Sequence, residues 1–339
     1  MSELAALIAA TVAEFAAFGD PARTLGELCG SADPDELASR FERWVVDNLE
    51  QTVVRPRFFT CSVGAVGALE LDDGRVVVVK VHQRRVERDV LAAMQRVQHH
   101  LFDRGFPCPQ PLTGPRSFGA SLATADRWLD DGGNNFGTGA MAASAAGLAS
   151  MVALAAEVDH VDALERAAMA RAPGARYPTP HSPLFDFDRP DPRVAWIDSF
   201  ADRALAVIDA LDAPAVTAHG DWSARNVRFG PDGLRGVYDW DSLIRLPEAI
   251  AVGIAAATWR SFGSADDDIA PDAVEVAQYT RRYEAARGEP FSPAARAAVL
   301  AQALYALCYT ARCEISLGPG HPRRAIARLE SSAPAFLPA

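Results

Sequence analysis

Thr217-Ala218-His219-Gly220-Asp221-Trp222-Ser223-Ala224-Arg225-Asn226, followed by Val237-Tyr238-Asp239-Trp240-Asp241, is the stretch on which the reading of this chain turns. The first run sets a carboxylate, Asp221, and an amide, Asn226, in an H-x-D-x-x-x-x-N spacing behind a strand-like lead-in. Phe229-Gly230-Pro231-Asp232-Gly233 has the composition of a hairpin turn. Such a turn carries the chain back, so that Asn226 and Asp239 face one another. A capped turn, with Asp221 satisfying backbone amides, is the plainer account of the same residues. Three roles at these spacings fit phosphoryl transfer better. That chemistry needs one carboxylate to orient a hydroxyl and take its proton, with an amide oxygen and a second carboxylate holding metal across the phosphates.

The pattern resembles the aminoglycoside phosphotransferase and choline kinase branch of the protein-kinase-like fold. His219-Gly220-Asp221, rather than His-Arg-Asp, is that branch's hallmark, and Asp239 is followed by Trp240-Asp241 instead of the Phe-Gly of protein kinases. The resemblance implies an α+β, bilobal protein-kinase-like fold, with a small antiparallel-sheet N-lobe and a larger helical C-lobe. It implies Asp221 as catalytic base, Asn226 and Asp239 as Mg2+ ligands, and ATP as donor to a small hydroxylated substrate. Antibiotics, amino alcohols and sugars all serve as acceptors in that branch, and nothing in the sequence selects among them.

Upstream, Val76-Val77-Val78-Val79-Lys80 ends a β-branched run on the only lysine among 33 basic residues. Ammonium is a compact point charge on a flexible stem, a role guanidinium does not fill, although chance survival of one lysine is the alternative. Under the resemblance, Lys80 becomes the ATP-phosphate lysine. Its partner is then Glu87 or, second, Asp89; a surface pairing of Glu87 with Arg84 or Arg88 competes. Ser62-Val63-Gly64-Ala65-Val66-Gly67 occupies the place of the phosphate-covering loop, with backbone amides from Ser62 through Gly64 to Gly67 over the phosphates. The adenine edge falls on backbone between Ala125 and Leu129. Substrate candidates are Trp222, Arg225, Trp240 and Asp241 beside the motif, and Trp259, Tyr305, Tyr309, Arg312 and Glu314 on late helices. Core packing is the competing role for the aromatic ones.

Working outward, the periodicity predicts helices over 2–18 and 34–50, strands over 58–63, 68–71 and 76–80, and a helix over 84–104. A strand over 121–126 then leads into Leu129-Asp130-Asp131-Gly132-Gly133-Asn134-Asn135, loop chemistry that marks a lobe boundary. The expected division is 1–129, comprising a helical extension 1–52 and the ATP-covering sheet, and 130–339, the helical lobe. The glycine-rich Gly132 to Gly139 reads as an interlobe connection. Later helices are expected over 139–157, 192–212, 246–262, 271–287 and 293–317. Asp266-Asp267-Asp268 reads as an exposed acidic turn.

Composition narrows the partners. A net charge of −11 over 339 residues speaks against general nucleic-acid binding and is compatible with a cationic small molecule. No apolar run is long enough to span a bilayer, and Met1 to Phe18 lacks the basic leader of a signal peptide. Five scattered cysteines without a C-x-x-C pair point to a reducing, cytoplasmic setting, not to zinc or a disulfide framework. A non-catalytic nucleotide-binding module needs no base at Asp221. A protein kinase is disfavoured by the missing Ala-Pro-Glu segment. Oligomeric state is not legible.

Overall fold

The structure is a computed structural model. It describes the chain except residues 17–19, 130–138, 168–169, 183–184, 189–190, 231–232, 262–269, 319, 321–322 and 338–339. Residues 130–138 of the expected interlobe connection, Pro231-Asp232 of the expected hairpin turn and the expected acidic turn Asp266-Asp267-Asp268 therefore lie outside the described residues. The chain divides into two units: Met1–Phe102 with Cys108–Asp130, and Asp103–Pro107 with Asp131–Ala339. The expected division had assigned 103–107 to the N-terminal part.

The first unit begins with helices α1 (Glu3–Phe15), α2 (Pro21–Cys29) and α3 (Pro34–Leu49). Asp33 caps α3 by accepting from the Glu36 N–H at 2.9 Å, ahead of Pro34, a residue pre-set for a first helical turn. Next come β1 (Val53–Cys61), β2 (Ala65–Leu71), β3 (Val76–Val81), α4 (Arg88–Asp103), β4 (Arg116–Phe118) and β5 (Ser121–Arg127). They form a five-stranded antiparallel sheet in the order β1-β2-β3-β5-β4. β1 starts before the expected strand because Pro56 is tolerated on an edge. Conversely, α4 starts after the expected Arg84, since 84–86 form a turn.

Alternation along β3 sorts the sheet's faces. Val77, Val79 and Val81 are buried in one cluster with Ile8, Leu25, Leu37, Phe41 and Val45 of the helices. Val76, Val78 and Lys80 point to the other face and are half-buried. Phe41 anchors the packing, its ring 5.7 Å from Phe59 and 5.0 Å from Phe118. Burying one such ring contributes about 1.5–3 kcal/mol.

The second unit carries α5 (Ala140–Ala155), α6 (Ala195–Asp209), β6 (Ala215–His219), β7 (Val227–Gly230), β8 (Gly233–Val237) and β9 (Leu243–Pro247). It ends in α7 (Glu248–Thr258), α8 (Ala273–Arg287), α9 (Pro293–Leu317) and α10 (Arg324–Ser332). β6 pairs with β9 and β7 with β8, both antiparallel. Helix α9 is buried along most of its length, and α7 approaches it closely at Gly253. A Cβ there would stand 2.6 Å from Gln302 Cβ and 2.7 Å from the Val299 carbonyl oxygen. None of the described helices is long and apolar enough to cross a membrane.

Candidate active site

The 217–242 stretch is a double hairpin pinned by backbone pairing. β6 delivers His219 opposite Leu243 of β9, and the Gly220 N–H continues the ladder to Ser242 O at 2.7 Å. β7 and β8 bring the chain back, and the Tyr238 N–H donates to Asn226 O at 2.8 Å. Asn226 is thereby set beside the residue that precedes Asp239.

His219 is fully buried and organises the loop. The Asp221 N–H donates to its Nδ1 at 3.2 Å, and Tyr238 O lies 2.9 Å from Nε2. A carbonyl can only accept, so the proton sits on Nε2 and the neutral ring bridges both hairpins. Its faces pack edge-on to Trp222 and Trp240, with centroids at 5.9 and 5.7 Å.

Asn226 orients the half-buried Asp221. Its Nδ2 donates to Asp221 O at 3.0 Å and to Oδ2 at 2.8 Å, which turns Oδ1 of the amide away as an acceptor. Asp239 adopts the left-handed conformation, φ 64° and ψ 47°, which Asp tolerates better than most residues. Ser242 steadies that bend: its N–H donates to Asp239 O at 2.9 Å and its Oγ to Oδ2 at 3.1 Å. An amide oxygen and a carboxylate are hard oxygen donors, the type Mg2+ accepts when substrate phosphates and water complete its shell. No cluster of three His, Cys, Asp or Glu suited to a metal occurs among the described residues.

In the first unit, Lys80 lies in β3 between Val66 of β2 and Thr124 of β5. Residues 62–64 turn tightly, the Ser62 N–H donating to Gly64 O at 3.1 Å. At Gly64 a Cβ would come within 2.8 Å of Val81 O and 3.7 Å of Lys80 Cε, so only glycine lets the turn rest on the lysine strand.

Several expectations change. Gly67 lies inside β2, packed on Phe41 and Phe59, rather than in a loop. Ala125 has its backbone engaged: its N–H donates to Thr113 Oγ1 at 3.1 Å and its O accepts from Leu112 N–H at 2.8 Å. An adenine edge at Ala125 would have to displace both bonds. Glu87 is exposed and precedes α4 instead of lying within it. Trp222 is wholly buried, its indole N–H donating to Ser144 Oγ at 3.0 Å, so it packs beneath the loop and does not face a substrate. Glu314 accepts from the N–H groups of Arg324, Ala325 and Ile326 at 3.0, 2.9 and 3.1 Å, capping α10. Arg225 is exposed and Asp241 half-buried beside the motif. Trp240 and Trp259 are buried.

The late-helix candidates Tyr305, Tyr309 and Arg312 do come together. Arg312 grips both oxygens of Asp198 at 2.7 and 2.9 Å and sits over Tyr177 and Phe187, 5.6 and 4.9 Å from their centroids. Tyr305 Oη donates to Arg176 O at 2.7 Å, and Tyr309 Oη lies 2.9 Å from His181 Nδ1. Their polar atoms thus hold Arg176, His181 and Phe187. Ser144, Ser242 and Tyr279, which support the motif residues, carried no local signal, because each is an ordinary helix or turn residue in sequence.

The model of the APH phosphotransferase enzyme family matches residues 67–304, which includes the whole motif. The chain belongs to that family. Among solved structures, an amicoumacin kinase in complex with AMP-PNP and Ca2+ superposes with TM-score 0.60 at 11% identity, over 89% of this chain and 95% of that one. A spectinomycin phosphotransferase in complex with ADP and spectinomycin gives 0.53 at 12%, over 88% and 92%. A macrolide 2'-phosphotransferase type I gives 0.50 at 18%, over 90% and 98%. At such identities the likeness concerns the fold, which is kinase-like. No curated protein sequence matches the chain. For a phosphotransferase family member, the hairpin geometry around Asp221 acquires a chemical sense.

Proposed function

We propose that the protein transfers the γ-phosphoryl group of ATP, with Mg2+, to a hydroxyl of a small molecule. The observation that carries this reading is the bond from Asn226 Nδ2 to Asp221 Oδ2. It orients one carboxylate oxygen for a proton and at the same time turns the amide oxygen away from Asp221. Asp221 would align the acceptor hydroxyl and take its proton. Asn226 Oδ1 and the Asp239 carboxylate would hold the metal, which neutralises phosphate charge when bound. Lys80, on the half-buried sheet face beneath the Gly64 turn, would hold the phosphates as a point charge. The similar proteins named above are, by name, phosphotransferases of amicoumacin, spectinomycin and macrolides. This motivates aminoglycosides, macrolides and related hydroxylated antibiotics as the first acceptors to try, with amino alcohols and sugars beside them.

The test is ATP turnover against such an acceptor panel, with thermal-shift binding of ATP and Mg2+ in parallel. Turnover abolished in Asp221→Ala with binding kept supports the assignment. Nucleotide binding without turnover of any acceptor would instead favour a non-catalytic nucleotide-binding module. Phosphorylation of a protein substrate alone would favour a protein kinase.

A further inference from the structure

Next to Asp221 the chain makes an unusual investment in buried polar contacts. Trp222 is fully buried, yet its indole N–H reaches Ser144 Oγ at 3.0 Å and Ser144 O at 3.2 Å. Ser144 Oγ lies 3.0 Å from Tyr279 Oη, and either hydroxyl can donate. Ser144 is 1% exposed and Tyr279 is 0% exposed, so neither bond is shared with solvent. From the other side, Thr258 Oγ1 reaches Trp222 O at 3.4 Å while bonding Ile254 O at 2.9 Å. Helices α5, α7 and α8 thus all converge on the residue that follows the proposed base.

Burial alone does not account for this. A satisfied buried polar chain adds little stability over apolar residues of the same shape, because each group gives up its bonds to water. What it does add is direction, since hydrogen bonds fix a ring's rotation where packing tolerates several. Fixing the Trp222 indole fixes the backbone at 221–222. It also holds the edge of His219, the ring from which the Asp221 N–H hangs.

We infer that Ser144 and Tyr279 are positioning residues for Asp221, acting through the Trp222 indole. The inference rests on the phosphotransfer reading for its kinetic consequence but not for its structural one. Neither residue touches the reacting atoms. The strand and loop motif supplies the base, and a helix far along the chain sets where it points.

The test uses the full-length protein with Ser144→Ala, Tyr279→Phe and the conservative Ser144→Thr. Glu284→Gln serves as a control. It lies on the same helix as Tyr279, but its partners are Arg296 and Phe291. The expected result is a fall in kcat of about tenfold to a hundredfold in Ser144→Ala and Tyr279→Phe, the scale of a misplaced catalytic group, with KM for ATP unchanged. Ser144→Thr recovers activity, and Glu284→Gln lowers Tm without lowering kcat. The independent readout is the NMR signal of the Asn226 side-chain amide, which donates to Asp221. It shifts in Ser144→Ala and Tyr279→Phe and not in Glu284→Gln. An unchanged kcat overturns the inference, as does an Asn226 signal that stays put. If the wild type turns over no acceptor, the phosphotransfer reading fails while the Asn226 signal still decides the coupling.

Discussion

The motif hairpins at 217–242 and the turn at 62–64 are proposed to serve the same nucleotide, yet they are built on different principles. In the hairpins, backbone pairing sets the frame but side chains hold the motif residues: His219 bridges Asp221 and Tyr238, Asn226 orients Asp221, and Ser242 braces Asp239. In the turn, backbone does it, with Ser62 N–H closing on Gly64 O and a missing Cβ leaving room for Val81 O. Where side chains hold, residue identity is constrained and a motif is visible. Where backbone holds, many sequences suffice and only an absent side chain leaves a trace.

This contrast predicts where substitutions hurt. Asp221→Ala should lower ATP turnover by about 10²- to 10⁴-fold, the usual worth of a general base, with nucleotide-induced thermal stabilisation retained. Retained turnover would break the comparison at its strongest point. Asp239→Asn keeps a residue that tolerates the left-handed bend and removes only charge, so turnover should drop severely without loss of Tm. Ser242→Ala, which removes only the brace on Asp239, should weaken Mg2+ by about tenfold, read from the Mg2+ dependence of turnover.

For the turn the signature should differ. Gly64→Ala pushes a methyl against Val81 O and should cost about 1–3 kcal/mol while raising KM for ATP more than it lowers kcat. A pure kcat loss would mean that the turn, too, acts through side-chain placement.

Smaller effects lie outside both regions. Burial pushes the Glu284 carboxyl up, but the Arg296 guanidinium and the Phe291 N–H outweigh it and hold the group below its ordinary range. A carboxylate lowered in the folded state contributes its stability fully at neutral pH and loses it as pH falls through the carboxylate range. Glu284→Gln should therefore cost about 1–3 kcal/mol near pH 7, with the deficit shrinking in acid, as followed by denaturant unfolding. Least affected of all should be the thiols. Burial raises Cys61 to about 11 and Cys29 to about 12, so a thiol reagent at pH 8 should label the native chain only as it unfolds.

Much of this was legible beforehand. Asp33-Pro34 announced α3, and α9 runs over the expected 293–317, behind a Ser292 cap and Pro293 at its first turn. Helix α2 was not read, although Asp20, Pro21 and the left-handed Gly30 bracket it, because nine residues give too little periodicity. β4 is only three residues long and exists through its pairing with β5. Tryptophan at 222 looked like a substrate contact because it adjoins Asp221. Adjacency in the chain does not say which way a ring points.

The sequence by itself determined the motif that marks the family in this chain: the carboxylates, the amide, the lone lysine and their order along strands and turns. These are properties of residue type and short spacing, which local geometry enforces. Tertiary structure alone decided which neighbours are free to act and which are committed elsewhere. It spent Glu314 on capping α10, engaged the backbone of Ala125 with 112–113, and buried Trp222 against Ser144. Those outcomes depend on residues between 10 and 78 positions apart meeting in space, and no local pattern encodes such meetings.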